Sequence, residues 1–127
     1  VGTSLASPSV TVAAGSGLSV GATGVVSSAS LAGTLTFQDS SRLLVDIRSS
    51  LADTVSVSGN VAVGNNVEVR VSDDATSAGT WKIIESTSGT LSGDFVLVGG
   101  LNRVTLTKVG NAVWLTIPPK GTVLQVL

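Results

Sequence analysis

The sequence predicts an all-β domain made of short strands stacked in layers, and three observations support this class. The chain is 43% hydrophobic but only 3% aromatic, so valine and other aliphatic side chains supply most of its apolar content. β-Branched side chains lose less conformational freedom in a strand than in a helix. Short apolar runs recur roughly every 8–12 residues between turn residues, as in sandwiches, barrels and solenoids. No stretch shows the periodicity of an amphipathic helix.

The predicted strands of the first part of the chain alternate between an apolar and a polar face. They are, in order, Ser9–Val12, Leu18–Val20, Thr34–Phe37, Leu43–Ile47, Thr54–Val57, Val61–Val63 and Val67–Val71. Leu44, Asp46 and Arg48 share one face of their strand, which we expect to be solvated. Glu68 and Arg70 share another such face and are expected to form an ion pair. The opposite faces form the predicted core: Leu43, Val45, Ile47, Val55, Val57, Val61, Val63, Val67, Val69 and Val71.

Sharp corners separate the valine-rich runs. Gly59-Asn60 and Gly64-Asn65-Asn66 supply residues that tolerate positive φ at low steric cost. A wall of valine that turns a corner every few residues is what the stacked layers of a solenoid require, because each layer buries its inner face only against its neighbours. This pattern favours a β-solenoid over a sandwich or a barrel.

The segment 103–117 predicts a β-hairpin. Its two-residue turn, Gly110-Asn111, pairs Val109 with Ala112 and fixes the register. The apolar face, which only Lys108 interrupts, then holds Val104, Leu106, Val113, Leu115 and Ile117. The other face holds Thr105, Thr107, Trp114 and Thr116. Pro118-Pro119 ends the second strand because neither residue donates a hydrogen bond to a ladder.

We expect one domain over residues 1–127. Layers cover residues 1–78, and a C-terminal cap covers 79–117. A Pro-Pro spacer and a short terminal strand cover 118–127, with Thr122–Leu127 as the strand.

Composition and charge exclude several classes of function. Seven basic and eight acidic residues give a net charge of −1, scattered without the basic clusters that nucleic acids or anionic membranes require. The longest apolar runs are far shorter than a membrane-spanning helix. There is no cysteine and therefore no disulfide framework. Because the chain begins at Val1, we expect a cleaved leader or a fragment of a larger protein. The composition suits a secreted protein or a bacterial outer surface.

Two glycine-rich patterns resemble functional loops without their remaining requirements. Gly17-Leu18-Ser19-Val20-Gly21 matches a nucleophile elbow, but the chain has no histidine and no helix is predicted after Ser19. The stretch Gly15–Gly24 lacks the lysine and the helix of a phosphate-binding loop. Both patterns are better explained as turns between strands.

The remaining polar residues do not predict a catalytic or metal site either. A serine–lysine dyad would use Lys82, Lys108 or Lys120, and nothing in the sequence brings one of them to a serine. Asp73 and Asp74 lie on a predicted solvated loop between Ser72 and Gly79, without the spaced oxygen ligands of a calcium site. We therefore predict no catalytic residue, no metal and no cofactor.

Four motifs occur in an order typical of one protein family: Ala52–Gly59, Gly79–Ile84, Gly89–Phe95 and Val104–Thr116. They resemble the "ADxLxVxG", "GxYxLI", "GxxxGxF" and "VxLxxxGNxVxLT" segments at the end of autotransporter passenger domains and of autotransporter-associated β-strand repeats. The resemblance covers residues 33–117 and implies a right-handed parallel β-helix with a C-terminal cap, exported to the cell surface. Two departures from the family are that no translocator barrel follows and that a strand is predicted after Ile117.

Two hypotheses of function remain. In the first, the chain is a structural subunit that stacks head to tail with copies of itself into a stalk or filament, because no charged residue precedes Asp39 and the terminal strand is uncharged. The strand Thr122–Leu127 then either completes the sheet of the next copy or folds back on its own layer. The residues predicted for self-assembly are Val123, Leu124, Val126, Leu127 and Trp114. In the second, the chain is an adhesin-like module that binds a glycan or a host protein. Trp114 is either covered by its own chain or exposed as an anchor for a partner, and Trp81 is predicted to lie in the core.

Overall fold

A computed structural model describes residues 9–19, 27–48, 51–73, 78–98 and 104–118. These residues form strands and their connections, with no helix among them, so the predicted all-β class is confirmed. The described part of the chain thus holds no helix that could cross a membrane. The strands are, in chain order, β1 (Ser9–Val12), β2 (Gly17–Ser19), β3 (Ser28–Leu31), β4 (Thr34–Phe37), β5 (Arg42–Arg48), β6 (Leu51–Ala52), β7 (Thr54–Val57), β8 (Val61–Val63), β9 (Val67–Asp73), β10 (Gly79–Ser86), β11 (Leu91–Ser92), β12 (Phe95–Val98), β13 (Thr105–Val109) and β14 (Ala112–Ile117).

The strands form three sheets, which the chain visits in rotation. Sheet A has the order β1-β4-β8-β11, sheet B the order β2-β5-β9-β12, and sheet C the order β3-β7-β10-β14-β13. The first pass of the chain is β1, β2 and β3, the second β4, β5 and β7, the third β8, β9 and β10, and the fourth begins with β11 and β12. Successive passes pair in parallel, so that Ser9 lies beside Thr34 and Gly17 beside Arg42.

The apolar side chains of the three sheets form one core. The predicted inner valines are buried at positions 55, 57, 61, 63, 67 and 69, while Val71 is partly buried against them. Phe37 is almost fully buried in this core, and its ring meets the ring of Phe95 edge to face at 5.2 Å between centroids. The alternation seen in the sequence therefore located the inner face of each sheet.

The corners are linked from pass to pass. Asn66 adopts a φ of 56°, as expected for a residue that permits a sharp corner. The backbone N–H of Asn65 donates to Asp39 Oδ1 at 2.8 Å, which ties the third pass to the corner of the second. A Cβ atom on Gly64 would approach this carboxylate and the Phe37 carbonyl oxygen, so the corner requires glycine.

The predicted hairpin is confirmed in its turn and register. β13 and β14 are antiparallel with Val109 opposite Ala112, and Gly110 has a φ of 59°. β14 is also antiparallel to β10, with a bulge between Lys82 and Ile84. Because the chain reverses twice, β13 runs in the same direction as β10. Parallel pairing of successive passes continues through β11 and β12.

Two side chains differ from the expectation drawn from the sequence. Asp46, predicted on a solvated face, is only 9% exposed because β6 folds back along the end of β5. Trp81, predicted in the core, packs against it opposite the buried Leu115 but is only partly buried. The predicted terminal strand, Thr122–Leu127, lies outside the described residues.

Candidate functional site

Those residues considered for catalysis that the structure describes do not assemble into a reactive site. Gly17 to Ser19 form strand β2, and Val20 and Gly21 lie outside the described residues. Lys82 Nζ binds Glu85 Oε1 at 3.1 Å, and Lys108 Nζ donates to the Gly93 carbonyl oxygen at 2.9 Å. Within the part of the chain that the structure describes, no three acidic residues gather as metal ligands would.

Two buried carboxylates, Asp46 and Asp53, form the most unusual polar feature of the interior. Asp53 is 2% exposed, and its two oxygens accept backbone N–H groups from Ser27 at 2.8 Å and from Asp46 at 2.9 Å. The pKa of the Asp53 carboxyl is raised, chiefly because burial disfavours its charged form, and the nearby Asp46 charge raises it further. The two N–H donors and Arg48 act in the opposite direction. Because Ser27 precedes β3 and Asp46 lies on β5, this carboxylate fastens the first pass to the second. The sequence contained Asp53 within a motif but gave no sign of this role.

The outer face of sheet B carries paired charges. The predicted pair of Glu68 and Arg70 is confirmed, with 3.0 Å between Arg70 Nη2 and Glu68 Oε1. Arg42 Nε lies 4.0 Å from the same oxygen, and the Arg48 guanidinium donates to the Ser72 carbonyl oxygen at 2.6 Å. Arg42 and Arg48 thereby link β5 to β9, while Arg70 pairs with Glu68 within β9, so each of these three arginines has a partner.

None of the four aromatic side chains is mostly exposed to solvent. Phe37 is buried, and Phe95, Trp81 and Trp114 are partly buried. Trp114 lies on the outer face of sheet C, where Lys82 Nζ stands 5.4 Å from its ring centroid. Among the described residues, a lysine on the neighbouring strand thus covers part of Trp114 in a cation–π contact.

One end of the molecule presents three sheet edges that come from a single pass. β1, β2 and β3 stand at the first edge of sheets A, B and C respectively. None of these strands contains a charged residue. Proteins that stay single protect such edges with lysine, proline, bulges or a covering segment. The three edges share one level because each is the first strand of its sheet.

Among the described residues, nothing covers the apolar core at this same end. Of the inward side chains of the first pass, Val12 is buried, Val10, Leu18 and Leu31 are half-buried, and Ala29 is exposed. The residues beside them in the second pass are almost fully buried: Leu35, Leu43, Val57 and Val55. Between them lies a cavity of about 180 Å³. We call this surface the first-pass end.

The opposite end differs in both shape and charge. There sheets A and B finish at β11 and β12, whereas sheet C continues through β14 to β13. Lys108 on β13 pairs with the buried Val113 and so shares its inward face. The Lys108 ammonium reaches across the end of the core to the Gly93 carbonyl oxygen and stands 3.8 Å from Asp94 Oδ1. An inward charge on an edge strand discourages further pairing.

The other residues predicted for self-assembly, Val123, Leu124, Val126 and Leu127, lie outside the described residues. In the sequence, the absence of charged residues before Asp39 indicated an uncharged end at the first strands. Comparisons with protein-family models, with curated proteins and with solved structures found no match.

Proposed function

We propose that the chain is a non-enzymatic structural module of an extracellular or bacterial cell-surface assembly, built as a right-handed β-solenoid with a hairpin cap. The rotation of the chain through three sheets and the parallel pairing of successive passes support the solenoid. Connections between parallel strands of one sheet are right-handed in nearly all proteins, which supports the hand. The resemblance of its four motifs to autotransporter passenger domains supports export to the surface.

The observation that carries this proposal is the contrast between the two ends. At the first-pass end, uncharged edges surround an open apolar core, and burying such surface stabilises by about 25 cal/mol per Å². At the other end, Lys108 lies across the core. A module with one open and one closed end is suited to joining other β-structure through the open end.

The sequence suggested a head-to-tail filament in which Thr122–Leu127 completes the sheet of the next copy. That donor strand remains a prediction. The described residues support the other half of the hypothesis, that copies associate through the first-pass end. For the alternative, an adhesin-like module, no exposed aromatic side chain offers a glycan a stacking surface.

Sedimentation velocity over a concentration series tests the proposed function. Ala29→Lys places an ammonium at the mouth of the core, where it reaches solvent in a single copy but is buried without a partner in a complex. Thr107→Lys, on the exposed outer face of β13, is the matched control at the other end.

We expect the full chain to associate as its concentration rises, Ala29→Lys to remain monomeric, and Thr107→Lys to behave as the full chain does. A full chain that stays monomeric, or an Ala29→Lys variant that associates unchanged, would contradict the proposal.

A further inference from the structure

We propose that the partner of the first-pass end is the same end of a second copy, so that two chains form a closed two-fold dimer. This inference rests on the proposed function, because it names the partner of the end through which the module is proposed to join other β-structure. Its support comes from strand counts, strand directions and the side chains at the two ends.

Strand counts disfavour direct head-to-tail stacking. Within the described parts of the chain, sheets A and B have four strands along the stack, and sheet C has five because the hairpin adds β14 and β13. If β1 and β2 of a following copy paired with β11 and β12, its β3 would occupy the place of β13. If its β3 paired with β13, a gap one strand wide, about 4.8 Å, would open in sheets A and B. A rigid copy therefore cannot extend all three sheets at once.

The side chains at the far end disfavour the same arrangement. A following copy would bring its open apolar core against Lys108, whose ammonium binds the Gly93 carbonyl oxygen. Desolvating this ammonium and the neighbouring Asp94, which is 85% exposed, costs free energy that the weak 3.8 Å ion pair does not offset. The far end is thus a poor partner for the first-pass end in both shape and charge.

The first-pass end, in contrast, complements itself. Its edges belong to one level, so a two-fold axis perpendicular to the stack brings three edges of each copy against three edges of the other in antiparallel pairing. The axis reverses the order of the sheets. One sheet consequently pairs with its own counterpart, and the other two pair with each other.

Such a contact also closes the core. Val10, Leu18, Ala29 and Leu31 of each copy would face the equivalent open cavity of about 180 Å³ in the other. No charged side chain of β1, β2 or β3 would be buried, because these strands contain none. A two-fold contact uses up both copies of the surface, so the assembly ends at the dimer and does not grow into a filament.

Single cysteines introduced into this cysteine-free chain test the two-fold arrangement. Thr11→Cys, Ser19→Cys and Ser30→Cys each mark the exposed outer face of one edge strand, β1, β2 or β3. Ser92→Cys, equally exposed on β11, is the control at the far end. Each full-length variant is treated with a short thiol-to-thiol cross-linker, alone and in pairwise mixtures, and its mass is measured by sedimentation.

We expect one of the three first-pass variants to cross-link to itself, the other two to cross-link to each other, and Ser92→Cys to react with none. Association that stops at two copies is expected throughout. Cross-linking of Thr11→Cys to Ser92→Cys, or growth beyond two copies, would establish head-to-tail stacking and overturn the two-fold dimer while leaving the proposed function intact. A chain that is monomeric at every concentration would overturn both.

Discussion

Replacing Asp53 tests whether one buried carboxylate fastens the first pass to the second. Asp53 is 2% exposed and accepts the backbone N–H groups of Ser27 and Asp46 at 2.8 and 2.9 Å. Asp53→Ala leaves both N–H groups without these acceptors. Each buried group left unsatisfied costs about 1–3 kcal/mol. Because the Ser27 bond is only partly buried, we expect a loss of about 2–4 kcal/mol in the free energy of unfolding.

The assay is equilibrium urea denaturation followed by tryptophan fluorescence and extrapolated linearly to water. It is carried out in the Ala29→Lys background, so that self-association does not make the midpoint depend on concentration. Asp94→Asn is the matched control, because its carboxylate is 85% exposed and its loss should change stability by less than about 0.5 kcal/mol. A loss for Asp53→Ala as small as that of the control would refute the role of Asp53.

The same carboxylate predicts a dependence on pH. Burial raises the pKa of Asp53 above the ordinary value of 3.8, so above that pH the folded state retains a proton that the unfolded state releases. The stability that Asp53 contributes is therefore full below 3.8 and falls as pH rises through the raised pKa. Asp53→Asn cannot titrate, so the stability of the parent relative to this variant should decrease over that window. A relative stability that increases with pH there would mean that the two N–H donors outweigh burial.

Three further predictions concern the core, the corners and the terminus. Phe37→Ala should lower the free energy of unfolding by about 3–5 kcal/mol, because the ring is 1% exposed and packs on Phe95. Urea denaturation measures this loss, and a value below about 1 kcal/mol would contradict the packing. Gly93→Ala should lower the free energy of unfolding more than Gly110→Ala, since both glycines have positive φ but only at Gly93 would a Cβ atom clash, with the Val63 carbonyl oxygen. Equal losses in urea denaturation would contradict this contact. Removal of residues 118–127 should leave the dimer intact by sedimentation, whereas its loss would support exchange of the terminal strand.

Local patterning in the sequence predicted most of the strands and their inner faces. Alternation in Thr54–Val57 and Val61–Val63 is a two-residue property of the backbone, so reading it requires no knowledge of the partner strand. The Gly110-Asn111 turn fixed the register of its hairpin for the same reason. Both kinds of signal depend on neighbours in sequence, and both agree with the structure.

Features that depend on distant parts of the chain were not predictable in this way. Asp46 seemed solvated because alternation gives its face but not the fold-back of β6 that covers it. The bulge in β10 buries the consecutive Ile83 and Ile84 and shifts the pattern by one residue. At the far end, sheet C extends one strand beyond sheets A and B in the described residues. This difference follows from the order of the strands in each sheet, which no local sequence pattern contains.

Hydrogen–deuterium exchange at two protein concentrations tests the central claim that the first-pass end is the surface through which copies associate. Amide protons on free edges exchange by local opening, and pairing across an interface protects them. At low concentration we predict faster exchange in β1, β2 and β3 than in their neighbours β4, β5 and β7. At high concentration the first-pass strands should become protected while β11, β12 and β13 remain unchanged. Protection that appears at β11, β12 and β13 instead, or at neither end, would contradict the account.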